Sequence, residues 1–157
     1  ETMKDLRDMF PETAGNIAIG INDAHMPADK FDPEAFKNNY RKLMALIRRV
    51  SPDCAFLFIT NNDSYHKGRP NRNALRVREV FRQLATESNG CVWDMFAVMG
   101  GLGGSTKWRN AGLMAKDRVH FSPEGYRLNG DMLFDALMQP LHSSSPTSTE
   151  AESYPAE

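Results

Sequence analysis

Several kinds of protein are excluded by what this sequence lacks. Among its 157 residues only two are cysteine, Cys54 and Cys91. A chain this long buries roughly two-thirds of its unfolded surface, so it builds a core without disulfide staples. Each cysteine opens a short apolar run that reads as a buried strand, which favours buried reduced thiols. A disulfide stays open only if the two strands are neighbours. Charge of one sign is lacking too. The formal net charge is −1, with acids and bases mixed along the chain. A nucleic-acid binder needs a basic face, so none is expected. The densest basic stretches, Arg48–Arg49 and Arg76, Arg78 and Arg82, lie in helical patterns and read as solvated helix faces. The four histidines are scattered and no cluster has metal-ligand spacing, so neither a metal nor a cofactor is expected. No run is long and apolar enough to span a membrane. There is no signal peptide and no initiating methionine. The start at Glu1 reads as the middle of something longer, which leaves an upstream signal open.

What is present is an alternation of strand and helix patterns. Met3, Leu6, Met9 and Phe10 have helical spacing and stop at Pro11. Asn16–Ile21 (NIAIGI) is a short apolar run that reads as a buried strand. Asp32 is a helix N-cap followed by Pro33 and Glu34, and Phe36, Tyr40, Leu43, Met44, Ile47 and Val50 mark an apolar face up to Ser51–Pro52. Cys54–Thr60 (CAFLFIT) reads as a strand apolar on both sides, the mark of a parallel sheet covered by helices on both faces. A polar loop, NNDSYHKGRPNR, leads to a helix over 73–88 with Val77, Val80, Phe81 and Leu84 inside. Asn89–Gly90 ends it as a left-handed cap. Cys91–Trp93 begins another strand, and Asp94 is a cap for a short helix at MFAV. After a glycine-rich GGLGGS segment and the KDRVHFS loop, Ser122 caps a last helix with Pro123 at its first position. Tyr126, Leu133 and Leu137 mark its inner face. Residues 1–141 therefore read as one α/β domain. Residues 142–157 (HSSSPTSTEAESYPAE) cannot bury enough to fold and read as a disordered tail.

Parallel strands joined by helical crossovers bind ligands outside their carboxyl ends. That rule selects the loops after Ile21, after Thr60 and before the last helix. Gly20-Ile21-Asn22-Asp23 lies in the first of them. A glycine permits close backbone approach, and the Asn22 amide is a suitable donor to a developing oxyanion. The competing reading is an ordinary turn, since these residue types favour turns. Asp117-Arg118-Val119-His120 lies in the last loop. A histidine general base needs one tautomer and one orientation, and a carboxylate on its Nδ1–H supplies both. The competing reading is a surface aspartate beside a packing histidine. His25 and His66 sit on the same edge, and each reads first as a solvent-exposed loop residue. Trp108 and Tyr126 offer flat rings to a sugar or acyl group, though Tyr126 also reads as core.

Here the chain resembles a known family. The SGNH hydrolases, or GDSL-like esterases, carry a G-x-N-D block and a later D-x-x-H block followed by a helix. This sequence has GIND at 20–23 and DRVH at 117–120, continuing FSPEGY. The stretch KWRNAGLMAKDRVHFSPEGY is similar to bacterial peptidoglycan O-acetylesterase-like members. The resemblance spans about residues 15–140. It implies a three-layer α/β/α sandwich with a parallel flavodoxin-like sheet. It also implies a serine esterase acting on small acyl esters, acetyl included, of carbohydrate or peptidoglycan. Asn22 would be the oxyanion donor, His120 the base and Asp117 its partner, with Gly20, Asp23 and Trp108 at the substrate. No cofactor is implied, and a periplasmic or extracellular location follows by analogy alone.

The family's nucleophile is the serine of a G-D-S motif at the end of the first strand, and a glycine block supplies another oxyanion donor. Neither motif occurs here, and the nineteen residues before Gly20 contain no serine. Ser105 lacks a G-x-S-x-G elbow and its GGLGGSTK segment reads as a flexible loop near the site mouth. Ser64 has no motif, and Ser122 is a helix cap. The expectation is a C-terminal portion whose serine and N-terminal strands lie upstream, whose open sheet edges pair with that N-terminal portion, and which turns over little alone. The alternative is a binding module or remnant without a nucleophile. A cofactor binder of flavodoxin type has no phosphate motif after the first strand to support it.

Overall fold

In the computed structural model, residues 24–143 are described, with backbone alone for 139–143. The helical pattern before Pro11, the Asn16–Ile21 strand, the GIND block and the tail beyond Ser143 lie outside the described residues.

The first described helix, α1 (Pro33–Val50), begins as its sequence dictates. Asp32 accepts hydrogen bonds from the Glu34 and Ala35 backbone amides, two donors the helix itself leaves without partners. Strand β1 (Leu57–Ile59) follows, then a small hairpin of β2 (Tyr65–His66) and β3 (Arg69–Pro70). Helix α2 (Asn73–Ser88) ends at Asn89, whose φ of 54° is the left-handed cap its sequence foretells. Strand β4 (Cys91–Trp93), helix α3 (Met95–Val98), helix α4 (Gly104–Asn110) and helix α5 (Pro123–Ser143) complete the order.

Strands β1 and β4 pair in parallel, Leu57 with Cys91 and Ile59 with Trp93. The alternation of a strand then sorts their side chains into two layers. Phe58 joins a cluster with Phe36, Met44, Val77, Phe81 and Leu84, against which Phe56 and Val92 pack. Ile59 and Trp93 point the other way, onto Met95, Met99 and Met114. The sheet is thus covered on both faces, as expected of an α/β sandwich. Helices α1 and α2 lock together through Phe36, Tyr40 and Phe81, with ring centroids 4.8–5.8 Å apart. Beside them Lys37 and Arg41 both reach Glu87, at 2.9 and 2.7 Å. Among the described residues no helix is long and apolar enough to cross a membrane.

The structure departs from the sequence reading at several points of the fold. The expected Cys54–Thr60 strand is regular only over Leu57–Ile59, because its partner β4 gives way after Trp93 to Asp94, which caps α3. The polar segment after Thr60 is not merely a loop. Lys67 and Gly68, with φ of 48° and 78°, make the tight turn that folds β2 onto β3. Cys91 is exposed whereas Cys54 is buried, and both are free. Cys91 shares its face with Trp93, but the methionine cluster covers only the Trp93 end. Finally, Tyr126 and Leu137 are 55% and 39% exposed and Leu133 is half-buried, so the described residues cover only part of the side of α5 expected to face inward.

Candidate active site

The D-x-x-H segment folds around its own aspartate. Asp117 Oδ1 accepts hydrogen bonds from the backbone amides of Val119 (2.8 Å) and His120 (3.0 Å). This turn forces Arg118 to a left-handed φ of 54°. The other carboxylate oxygen is left facing the imidazole, and His120 Nδ1 lies 2.8 Å from Asp117 Oδ2. A carboxylate there accepts the Nδ1 proton, which leaves Nε2 unprotonated and able to take a proton. The His120 ring hydrogen bond, followed by the two amides, holds the Asp117 carboxyl down at about 2. The carboxylate therefore stays charged at every pH where an imidazole can act as a base. The pair is open to solvent, with the His120 side chain 70% exposed.

Neighbouring bonds frame this loop. Met114 and Phe121 form an antiparallel bridge, and Ala115 donates its amide to the His120 carbonyl at 2.9 Å. Ser122 Oγ donates to the Gly112 carbonyl and accepts from the Gly125 amide, at 2.7 and 3.1 Å. Its hydroxyl is thus engaged in capping α5, as expected. The loop after β1 comes alongside, since Asn62 Nδ2 donates to the Val119 carbonyl at 3.0 Å. That contact places the Asp117–His120 pair beside the carboxyl end of β1.

The other sequence candidates fall out differently. Gly20, Asn22 and Asp23 lie outside the described residues. Trp108 is half-buried. It packs on the methionine cluster and its ring centroid is 5.6 Å from that of Phe121. Tyr126 also meets Phe121, edge-on at 5.3 Å. The GGLGGS segment is not a flexible loop. Gly103 turns at φ 89° into α4, and Ser105 is fully buried with its amide donating to Asp63 Oδ2 at 2.9 Å. Ser64 is buried as well. Asp94 caps α3 through the Ala97 amide, as expected, and also binds Arg78 Nε at 2.6 Å, tying α2 to the end of β4.

His25 and His66 are half-buried, contrary to the solvent-exposed expectation, because β2 and the segment after Ala24 close on each other. Their rings meet edge-to-face at 4.8 Å. Burial, then the nearby His66 and His120, hold the His25 pKa below 6.5. Unfolded His25 gains a proton as pH falls through about 6.5, while the folded residue resists it. This stabilisation is present above that pH and is lost progressively below it. Melting temperatures recorded from pH 8 to pH 5 should fall, and His25→Gln should flatten the lower part of that profile. An unchanged slope in the variant would assign the acid sensitivity elsewhere.

Asn62, Asp63 and Tyr65 escaped the sequence reading. The available signal was their position, a polar run immediately past the carboxyl end of an apolar strand.

Together these features define a class: an α/β sandwich bearing a hydrogen-bonded aspartate–histidine pair beside the carboxyl end of its parallel strands. More specifically, the chain belongs to the GDSL-like lipase/acylhydrolase family, whose model matches residues 15–128, a span containing both GIND and DRVH. A solved peptidoglycan O-acetylesterase is similar at 27% identity with a TM-score of 0.70, over 78% of this chain and 36% of that one. The chain thus spans little more than a third of that protein's length. The esterase domain of the ZfL2-1 ORF1 protein, from a zebrafish retrotransposon, is 20% identical with a TM-score of 0.48, over 87% of this chain and 79% of that domain. No curated protein matches the chain.

Proposed function

We propose that this chain forms the base-bearing part of an esterase that removes small acyl groups, acetyl above all, from carbohydrate such as peptidoglycan. The observation that carries the reading is the 2.8 Å contact between His120 Nδ1 and Asp117 Oδ2. In this reading His120 Nε2 takes the proton of a serine hydroxyl as that oxygen attacks the ester carbonyl. Asn22 donates to the oxyanion, with Gly20 allowing the backbone close and Asp23 and Trp108 flanking the substrate. The imidazolium returns the proton to the departing alcohol, leaving an acyl-serine. A water then loses a proton to His120 and attacks the acyl carbon, and the imidazolium returns that proton to the serine oxygen as the carboxylic acid departs.

The serine is supplied from upstream of residue 1. In support, five serines of the described residues are buried, capping or at a helix end. Ser64 and Ser105 are buried, Ser88 and Ser122 bond backbone carbonyls, and Ser51 ends α1. The acetylated carbohydrate substrate is taken from the likeness to a peptidoglycan O-acetylesterase. The test compares the 157-residue chain with the same chain extended through its upstream sequence. Acetate release is followed from an aryl acetate, an aryl octanoate and O-acetylated peptidoglycan. The extended protein should cleave both acetyl esters, prefer acetate to octanoate and outpace the shorter chain greatly. An extended protein inert on all three would refute the reading.

A further inference from the structure

The Asp117–His120 pair is well formed yet poorly supported by its own packing. His120 is 70% exposed and Asp117 49% exposed, so no surrounding core holds either side chain. Their alignment depends on the backbone of residues 117–120. That backbone contains a non-glycine residue, Arg118, at φ 54°. Such a conformation is unfavourable for a residue with a Cβ, and it persists where the surroundings impose it.

The turn's own hydrogen bonds to Asp117 Oδ1 are joined by contacts from another part of the chain, the run Asn62–Tyr65 after β1. Asn62 Nδ2 donates to the Val119 carbonyl at 3.0 Å and to the Asp63 carbonyl at 3.2 Å. The Tyr65 amide donates to the Arg118 carbonyl at 3.2 Å. The Arg118 guanidinium lies over the Tyr65 ring, 4.2 Å from its centroid, so the residue with the unfavourable φ is held from its side chain as well. Two successive carbonyls of the strained turn are therefore held by donors from another element. The strap is itself anchored. Tyr65 OH is hydrogen-bonded to Thr106 Oγ1 at 2.9 Å, and buried Asp63 accepts the Gly103 and Ser105 amides at 3.1 and 2.9 Å.

We propose that Asn62 and Tyr65 are positioning residues, a strap from the end of β1 that holds the Arg118–Val119 turn and thereby aims His120 at Asp117. The value of this strap to catalysis rests on the base role given above to His120; its mechanical action does not. Neither residue need touch substrate. Asn62 acts by its amide donors, and Tyr65 by its ring face and backbone amide.

Nitrogen-15 imidazole spectra of the 157-residue chain test the strap without any turnover. His120 should show the Nδ1–H tautomer and a protected Nδ1 proton. Asn62→Ala and Tyr65→Leu should each lose that tautomer preference and speed exchange of the Nδ1 proton about tenfold or more, while the amide signals of β1 and β4 persist. Tyr65→Phe keeps the ring under Arg118 and loses only the bond to Thr106, so it should stay near the wild type and far from Tyr65→Leu. If Asn62→Ala does not fold, Tyr65→Leu against Tyr65→Phe decides. Wild-type His120 signals in a folded Asn62→Ala or Tyr65→Leu protein would overturn the strap. In the upstream-extended protein, Asn62→Ala should lower kcat about 10- to 100-fold with KM little changed, the signature of a misaimed base. Should Asp117 and His120 variants keep full turnover, the esterase role fails while the spectra still judge the strap.

Discussion

Asp117→Asn should lower kcat on an aryl acetate about 10⁴-fold in the upstream-extended protein, with KM and melting temperature little altered. The argument starts from the two carboxylate oxygens. Oδ1 accepts the Val119 and His120 amides, and an asparagine carbonyl accepts the same two bonds. The turn is therefore kept. The amide NH₂ then falls where Oδ2 stood, facing His120 Nδ1. A donor there can meet only an unprotonated Nδ1, so the proton moves to Nε2, the atom that must accept the serine proton. Geometry survives while the base is disabled. Stability should barely change, because both side chains are largely in water and exposed pairs contribute about 0–1 kcal/mol. The pH behaviour gives a second check. Asp117 has its pKa lowered from 3.8 to about 2, so whatever its pairing contributes is present above pH 3.8 and disappears only as pH falls through about 2. Loss of wild-type activity between pH 8 and pH 4 must then come from a group other than this carboxyl. His120→Ala removes the base outright and should be equally damaging. Turnover of Asp117→Asn within tenfold of wild type would show that the pair is not the base of the reaction.

The parts of this molecule legible in the sequence are those whose physics is local. Asp32, Asp94 and Ser122 each cap a helix within three residues of themselves, and Asn89 takes the left-handed form that ends α2. The Asp117–His120 contact belongs with them, being a three-residue offset inside one turn. What was not legible depends on contacts between distant segments. Ser105 is buried because Asp63, forty-two residues earlier, receives its amide. Asn62 reaches Val119 across fifty-seven residues. His25 and His66 turned out half-buried because two segments about forty residues apart close on each other. Residue type gives no hint of such pairings, although strand order narrows where they occur. The apolar stripe of α5 shows the converse. Its periodicity predicts an inner face of Tyr126, Leu133 and Leu137, but Tyr126 and Leu137 are exposed, because periodicity names a side of a helix and not the layer that covers it.

Gly125→Ala should destabilise the chain by about 2–4 kcal/mol, a loss of roughly 5–15 °C in melting temperature, whereas Gly130→Ala in the same helix should raise stability by about 0.5–1 kcal/mol. A Cβ on Gly125 would collide with the Leu113 carbonyl oxygen and lie 2.9 Å from its carbon. Backbone cannot step aside as a flexible side chain would. That same carbonyl accepts the Ser122 amide, and Ser122 in turn accepts the Gly125 amide. Moving α5 away from Leu113 therefore breaks its N-terminal cap and the closing bond of the loop that carries Asp117 and His120. A Cβ at Gly130 meets nothing within 4 Å, so there alanine brings only its better helix propensity. The pair of substitutions separates close backbone approach from propensity, since each adds one methyl to one helix. The spectra of His120 should register Gly125→Ala and ignore Gly130→Ala. A Gly125→Ala protein melting within two degrees of wild type would mean that α5 can shift away from Leu113 at little cost. The glycine would then not be what fixes the distance between this helix and the base.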